Sequence, residues 1–88
     1  MAARDWNKDS QILNARDAQQ FVASWRAECR SPQRLAEFIR RAAENHEDLA
    51  KRYRADSREA RGHAGAARVL RRALRDVEAE RLQAAAGR

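Results

Sequence analysis

Apolar side chains recur every three or four residues through most of the chain, which is the spacing of one face of an α-helix. The clearest pattern begins after Ser31 and Pro32 and continues to Arg61. A serine at the N-cap and a proline at the first helical position both favour a helix start here. The pattern predicts a long central helix over residues 32–61. Its apolar positions are Leu35, Phe38, Ile39, Ala42, Leu49, Ala50, Tyr53 and Ala60.

A second helical pattern precedes the central one. Asn14 is a good N-cap residue, and Asp17 adds the negative charge that a helix N-terminus favours. The apolar positions that follow are Ala18, Phe21, Val22, Trp25 and Cys29. We therefore predict a helix over residues 14–30. Because only a short link separates it from residue 32, it should pack antiparallel on the central helix, with Trp25 and Cys29 in the core.

Two glycines, Gly62 and Gly65, interrupt the pattern after the central helix. Each costs about 1 kcal/mol relative to alanine inside a helix. The next apolar set is also rotated by about 100° from the preceding one. Either a turn into a third antiparallel helix or one long bent helix would accommodate this change, and we prefer the turn. The third helix is then predicted over residues 64–85. Its apolar positions are Ala66, Leu70, Ala73, Leu74 and Val77.

The chain has 88 residues, so we expect one helical domain, 1–88, with residues 1–13 as an N-terminal arm. The predicted fold class is all-α, either a three-helix antiparallel bundle or a helical hairpin with a long central helix. Leu, Ile, Val and Phe together account for only 13 of the 88 residues. This fraction is below the roughly 20% under which a chain often lacks enough apolar side chains to form a packed core. A small core predicts self-association, with a homodimer the simplest form.

The charge is basic overall but not concentrated. The net charge is +6, and acidic residues are interleaved with basic ones along the whole chain. Nearly all the basic residues are arginine, with only Lys8 and Lys51 as lysine. Together with the abundance of alanine, this composition favours a GC-rich bacterial or phage genome as the source.

No sequence motif for catalysis, a metal ion or a cofactor is found, so we predict a non-enzymatic protein. His46-Glu47 begins like the zinc motif H-E-x-x-H, but Ala50 stands where the second histidine is needed. We interpret His46 as a residue of a helix–helix interface, hydrogen-bonded to a neighbour. Cys29 is the only cysteine, so it can form no internal disulfide. An enzyme or metal site would require His46, His63 and Cys29 to converge from three segments.

The chain opens with a polar segment that lacks the apolar core of a signal peptide. It also contains no run of about 20 apolar residues, the length that crosses a membrane as a helix. We therefore expect a cytoplasmic protein with no membrane partner.

The predicted function is a small helical protein-interaction module, an adaptor or an inhibitor that binds a larger protein. A phage or mobile-element origin fits the composition. The candidate protein-binding residues are Trp6, Val69 and Leu82, because their apolar side chains fall outside the predicted core stripes. Tryptophan in particular is enriched at binding hot spots.

The alternative function is nucleic-acid binding. A set of arginines surrounds the glycine segment Gly62–Gly65 and could contact phosphates. These candidate nucleic-acid-binding residues are Arg54, Arg58, Arg61, Arg68, Arg71, Arg72 and Arg75.

Overall fold

The computed structural model describes residues 12–87. It contains three helices: α1 (Ala15–Glu28), α2 (Pro32–Arg52) and α3 (Arg58–Ala86). Residues 12–87 include no strand. The all-α prediction and the three-helix bundle are therefore confirmed. Trp6 and most of the predicted N-terminal arm lie outside the described residues.

The first two helix starts are capped as the sequence predicts. The Asn14 side chain accepts a hydrogen bond from the Asp17 backbone N–H at 2.9 Å. The Asp17 carboxylate in turn accepts the Leu13 N–H at 2.9 Å. Ser31 accepts the Arg34 N–H at 3.3 Å, and Pro32 occupies the first helical position. The Asn14 and Ser31 contacts satisfy amides that a helix N-terminus leaves without intrahelical partners.

The predicted boundary between the second and third helices is wrong. The helix expected over residues 32–61 ends at Arg52, and the helix expected over residues 64–85 begins at Arg58 and continues to Ala86. The physical reason is an N-cap at Ser57, whose side chain accepts the Ala60 N–H at 3.1 Å. A turn stabilised by the Ser57 N–H to Arg54 carbonyl bond, at 2.9 Å, joins the two helices.

The two glycines lie inside α3 and make no turn. A Cβ on Gly62 would overlap the Leu13 carbonyl oxygen, and a Cβ on Gly65 would lie 3.7 Å from the Ala15 Cβ. Glycine at position 62 therefore lets the segment before α1 approach α3 closely, whereas the spacing at Gly65 would also accommodate an alanine. This approach compensates for the low helix propensity of glycine.

The helix that organises the bundle is α3, since it packs against both other helices while α1 and α2 touch little. This corrects the expectation that α1 packs mainly on α2. α1 runs parallel to α3, because Ala15 lies near Gly65 and Arg26 pairs with Glu80. α2 runs antiparallel to both.

The core lies along the inner face of α3 and is rich in alanine. Ile12, Ile39 and Leu70 are completely buried, and Trp25 is almost so. Trp25 therefore lies in the core as predicted, whereas Cys29 is only half-buried at the edge. Beyond Val77, α3 extends past the core, and its remaining residues are exposed or half-buried.

Candidate functional site

An open groove of about 850 Å³ lies between α2 and α3, and none of its lining residues belongs to α1. Glu47, Ala50 and Lys51 form its α2 wall. The α3 wall comes from residues spaced three or four apart, which places them on one side of that helix. These α3 residues are Ala64, Ala67, Arg68, Arg71, Arg72 and Arg75, and Val69 also lines the groove. We call this the α2–α3 groove.

The floor and the rim of the α2–α3 groove differ in chemistry. Ala50, Ala64 and Ala67 contribute small apolar side chains that let another chain approach the backbone closely. The long basic side chains extend around them. With Lys51 and four arginines against Glu47, the groove carries a clear positive excess. The arrangement can attract a negatively charged partner and offers an apolar surface for it to pack against.

One charge pair bridges the groove. Arg71 donates two hydrogen bonds to the Glu47 carboxylate, at 2.9 Å from Nε and 2.8 Å from Nη2. These bonds hold the pKa of Glu47 below its ordinary value and raise the pKa of Arg71. The pair ties α2 to α3 and largely neutralises Arg71. In the described part of the chain, Arg68, Arg72 and Arg75 form no such ion pair, so their charges face solvent.

A buried histidine pair lies beside the groove. The Nδ1 atoms of His46 on α2 and His63 on α3 are 2.8 Å apart, and the rings stack with centroids 5.0 Å apart. Both side chains are buried, and Tyr53 stacks on the outer face of His63. One Nδ1 donates and the other accepts, so the contact holds a single proton. The interpretation of His46 as an interface residue is confirmed.

The histidine pair fits a structural role. No group of three or more His, Cys, Asp or Glu side chains within residues 12–87 could hold a metal ion. Cys29 lies far from the histidines, in a smaller cleft of about 320 Å³ where it adjoins Arg26, Leu35 and Val77. Its sulfur is 3.5 Å from the Ser31 carbonyl oxygen, to which the thiol donates. The three residues that an enzyme reading would need therefore do not converge.

The seven candidate nucleic-acid-binding arginines separate into two groups. Arg68, Arg71, Arg72 and Arg75 line the α2–α3 groove. The other three do not line it: Arg54 lies in the turn between α2 and α3, where it pairs with Asp56 at 3.7 Å, and Arg58 and Arg61 are exposed on the first turns of α3.

The candidate protein-binding residues do not form one surface. Val69 is half-buried, packs against the core and also lines the α2–α3 groove. Leu82 is 73% exposed on the part of α3 that extends past the core. These two side chains lie thirteen residues apart, or about 20 Å along the helix axis. Trp6 is outside the described residues.

Sequence reasoning missed several residues of the groove: Glu47, Ala50, Lys51, Ala64 and Ala67. The small and basic side chains at Ala64, Ala67, Arg68 and Arg71 do recur with helical spacing. These positions all fall in the helix predicted over residues 64–85, so the α3 wall could be found from the sequence, whereas the α2 wall depends on how the two helices pack.

No helix within residues 12–87 has the length and apolar character needed to span a membrane. Comparisons of the chain with protein-family models, with curated proteins and with solved structures find no match.

Proposed function

We propose that this chain is a small, non-enzymatic helical module that acts as an adaptor or inhibitor by binding a larger protein. The observation that carries the proposal is the α2–α3 groove, which combines an alanine floor with an open basic rim. An apolar surface rimmed by charge is typical of a protein-docking site. Of the candidate protein-binding residues that the structure describes, Val69 lines this groove and Leu82 lies outside it.

Two side-chain contacts hold the two walls of the groove together. The Glu47–Arg71 ion pair and the His46–His63 contact both join α2 to α3 beside it. A surface fixed before binding loses less conformational entropy when a partner docks. The groove can therefore keep its shape without a ligand.

The test is capture of a partner by the tagged full-length chain from a nuclease-treated lysate of a GC-rich bacterium. The informative variant is Arg68→Glu/Arg72→Glu, which reverses two charges on the groove. The matched control is Arg34→Glu/Arg41→Glu, since both residues are exposed on α2 and lie outside the groove. We expect one protein to be captured by the wild type and the control and lost from the groove variant. Capture that is equal for all three proteins would contradict the proposal.

The second candidate function is nucleic-acid binding, and one observation favours it. Arg61, Arg68, Arg72 and Arg75 are all exposed and lie on one side of α3, so they could follow a phosphate backbone. If this function is correct, the affinity for duplex DNA or RNA must fall steeply as salt rises. It must also decrease in Arg68→Glu/Arg72→Glu. A binding curve that does not change with salt would exclude it.

A further inference from the structure

The chemistry of the α2–α3 groove narrows the class of partner. Its apolar lining consists of the methyl groups of Ala50, Ala64 and Ala67 together with the side chain of Val69. Such a floor is shallow and apolar, so it contributes to the binding free energy only when a ligand buries apolar groups against it. A purely polar ligand, such as a phosphate backbone, has no apolar groups to bury there, so the floor would contribute nothing to its binding.

The groove lacks the features that other extended ligands need. None of its lining residues is aromatic, whereas single-stranded nucleic acid binds largely by stacking its bases on aromatic side chains. Both walls are helices, whose backbone amides and carbonyls are already hydrogen-bonded along the helix. An extended peptide would therefore find no strand edge to pair with. A helical ligand has no such need, because it satisfies its own backbone groups.

The basic side chains on the rim indicate that the ligand is negatively charged. Arg68, Arg72 and Arg75 are exposed and, among the described residues, take part in no ion pair. Lys51 is exposed on the opposite wall. A ligand with carboxylates along both flanks of an apolar stripe would meet basic side chains on both sides.

We propose that the α2–α3 groove receives an acidic amphipathic helix of the partner protein; the inference rests on the groove being the docking surface proposed above. The α3 wall from Ala64 to Arg75 is about 17 Å long, which accommodates roughly three turns of a ligand helix. Its apolar stripe covers the alanine floor, and its Glu or Asp side chains pair with Arg68, Arg72 and Lys51. The bound helix completes a four-helix arrangement.

The test uses a fluorescein-labelled synthetic peptide of about 14 residues, with Leu and Ala on one helical face and Glu on both flanks. Binding to the full-length chain is followed by fluorescence anisotropy. We expect saturable binding that weakens about tenfold or more in Arg68→Glu/Arg72→Glu, since two rim charges are reversed. The control Arg34→Glu/Arg41→Glu should retain the wild-type affinity. Far-UV circular dichroism of each variant verifies that the bundle is intact.

Three results would overturn the inference. A peptide of the same composition, scrambled to remove its apolar face, could bind equally well, which would reduce the effect to charge alone. Duplex or single-stranded DNA could displace the peptide and bind more tightly, which would assign the groove to nucleic acid. The wild type could dimerise while Arg68→Glu/Arg72→Glu remains monomeric in sedimentation equilibrium, which would make a second copy the occupant.

The peptide experiment also separates this inference from the proposed function. If the lysate partner still depends on the groove but the peptide neither binds nor competes, the interaction function stands and the acidic-helix class is wrong. If no groove-dependent partner exists, the function itself fails. Displacement of the captured partner by the amphipathic peptide, with no effect of the scrambled one, supports both.

Discussion

The imidazole rings of His46 and His63 face each other across the α2–α3 interface with their Nδ1 atoms 2.8 Å apart. The two residues come from different helices, and both are buried in a core that otherwise consists mainly of alanine and aliphatic side chains. A polar contact of this kind links α2 to α3 at a defined register, because shifting either helix by one turn would separate the two nitrogens.

The first prediction concerns the coupling between these two histidines. His63→Leu removes the hydrogen-bond partner of the His46 Nδ1 in a buried position, which should lower the free energy of unfolding by about 1–3 kcal/mol. The double variant His46→Leu/His63→Leu removes both ends of the contact. Its loss should therefore be smaller than the sum of the two single losses. Urea denaturation at constant pH gives the free energy of unfolding of the wild type, the two single variants and the double variant. If the two single losses simply add in the double variant, the contact contributes nothing.

The second prediction compares the two glycines of α3. Gly62→Ala should destabilise the protein by about 1–3 kcal/mol, because the new methyl group would overlap the Leu13 backbone carbonyl and the backbone must shift. Gly65→Ala is the matched control, since its Cβ would meet Ala15 at an ordinary van der Waals distance. It should be neutral or stabilising by up to about 1 kcal/mol through better helix propensity. Thermal unfolding distinguishes the two, and equal melting temperatures would contradict the close approach of α1.

The contrast between these glycines explains why the sequence alone misplaced the turn. Inside a helix both residues carry the same intrinsic penalty, so a local reading assigns them to a break. Their neighbours in the fold are Leu13 and Ala15, which lie forty-nine and fifty residues away in sequence. The local signals at Asn14 and Ser31 were sufficient to predict the first two helix starts, because a cap acts within its own turn.

The candidate site was predictable to a similar extent. Arg68, Arg71, Arg72 and Arg75 could be grouped from their helical spacing, and they do share the groove. Lys51 could not be added to them, because its position beside α3 follows from the turn over residues 53–57. The partner of His46 was unpredictable for the same reason, since His63 was assigned to a turn that does not exist.

The third prediction tests the start of α3 directly. Ser57→Ala removes the side chain that accepts the Ala60 N–H, which should cost about 1 kcal/mol of stability. If residues 32–61 formed one continuous helix instead, the same change would stabilise the protein, because alanine has the higher helix propensity. Ser57→Asp supplies another good N-cap acceptor and should retain the wild-type stability. Urea unfolding of the three proteins gives the sign, and a more stable Ser57→Ala would contradict the observed boundary.

The fourth prediction concerns self-association, which the small core suggests. Leu82 is the most exposed of the large apolar side chains described, and it lies where α3 extends past the bundle. Leu82→Ala should leave the helical content unchanged but weaken association, since the side chain contributes nothing to the core. Sedimentation equilibrium over a range of protein concentrations measures the effect. A wild type that remains monomeric throughout would contradict the expected dimer.

The last prediction is a loss of stability in acid. Arg71 lowers the pKa of Glu47 and Arg26 lowers that of Glu80, in each case chiefly through side-chain hydrogen bonds. A carboxyl group whose pKa is lower in the folded state stabilises the protein above its unfolded pKa, about 4.3 for glutamate. That contribution is lost as the pH falls through the folded value, because protonation then favours the unfolded chain.

Melting temperatures should therefore decrease as the pH is lowered from neutrality to about 3. Both ion pairs are partly exposed to solvent, so the effect of each should be modest and should decrease in high salt. Glu47→Gln removes one titrating group, so the melting temperature should fall less steeply between neutral pH and acid. The control is Glu78→Gln, on an exposed residue of α3. The ion pairs would make no contribution if the acid limbs of the wild type and Glu47→Gln coincided.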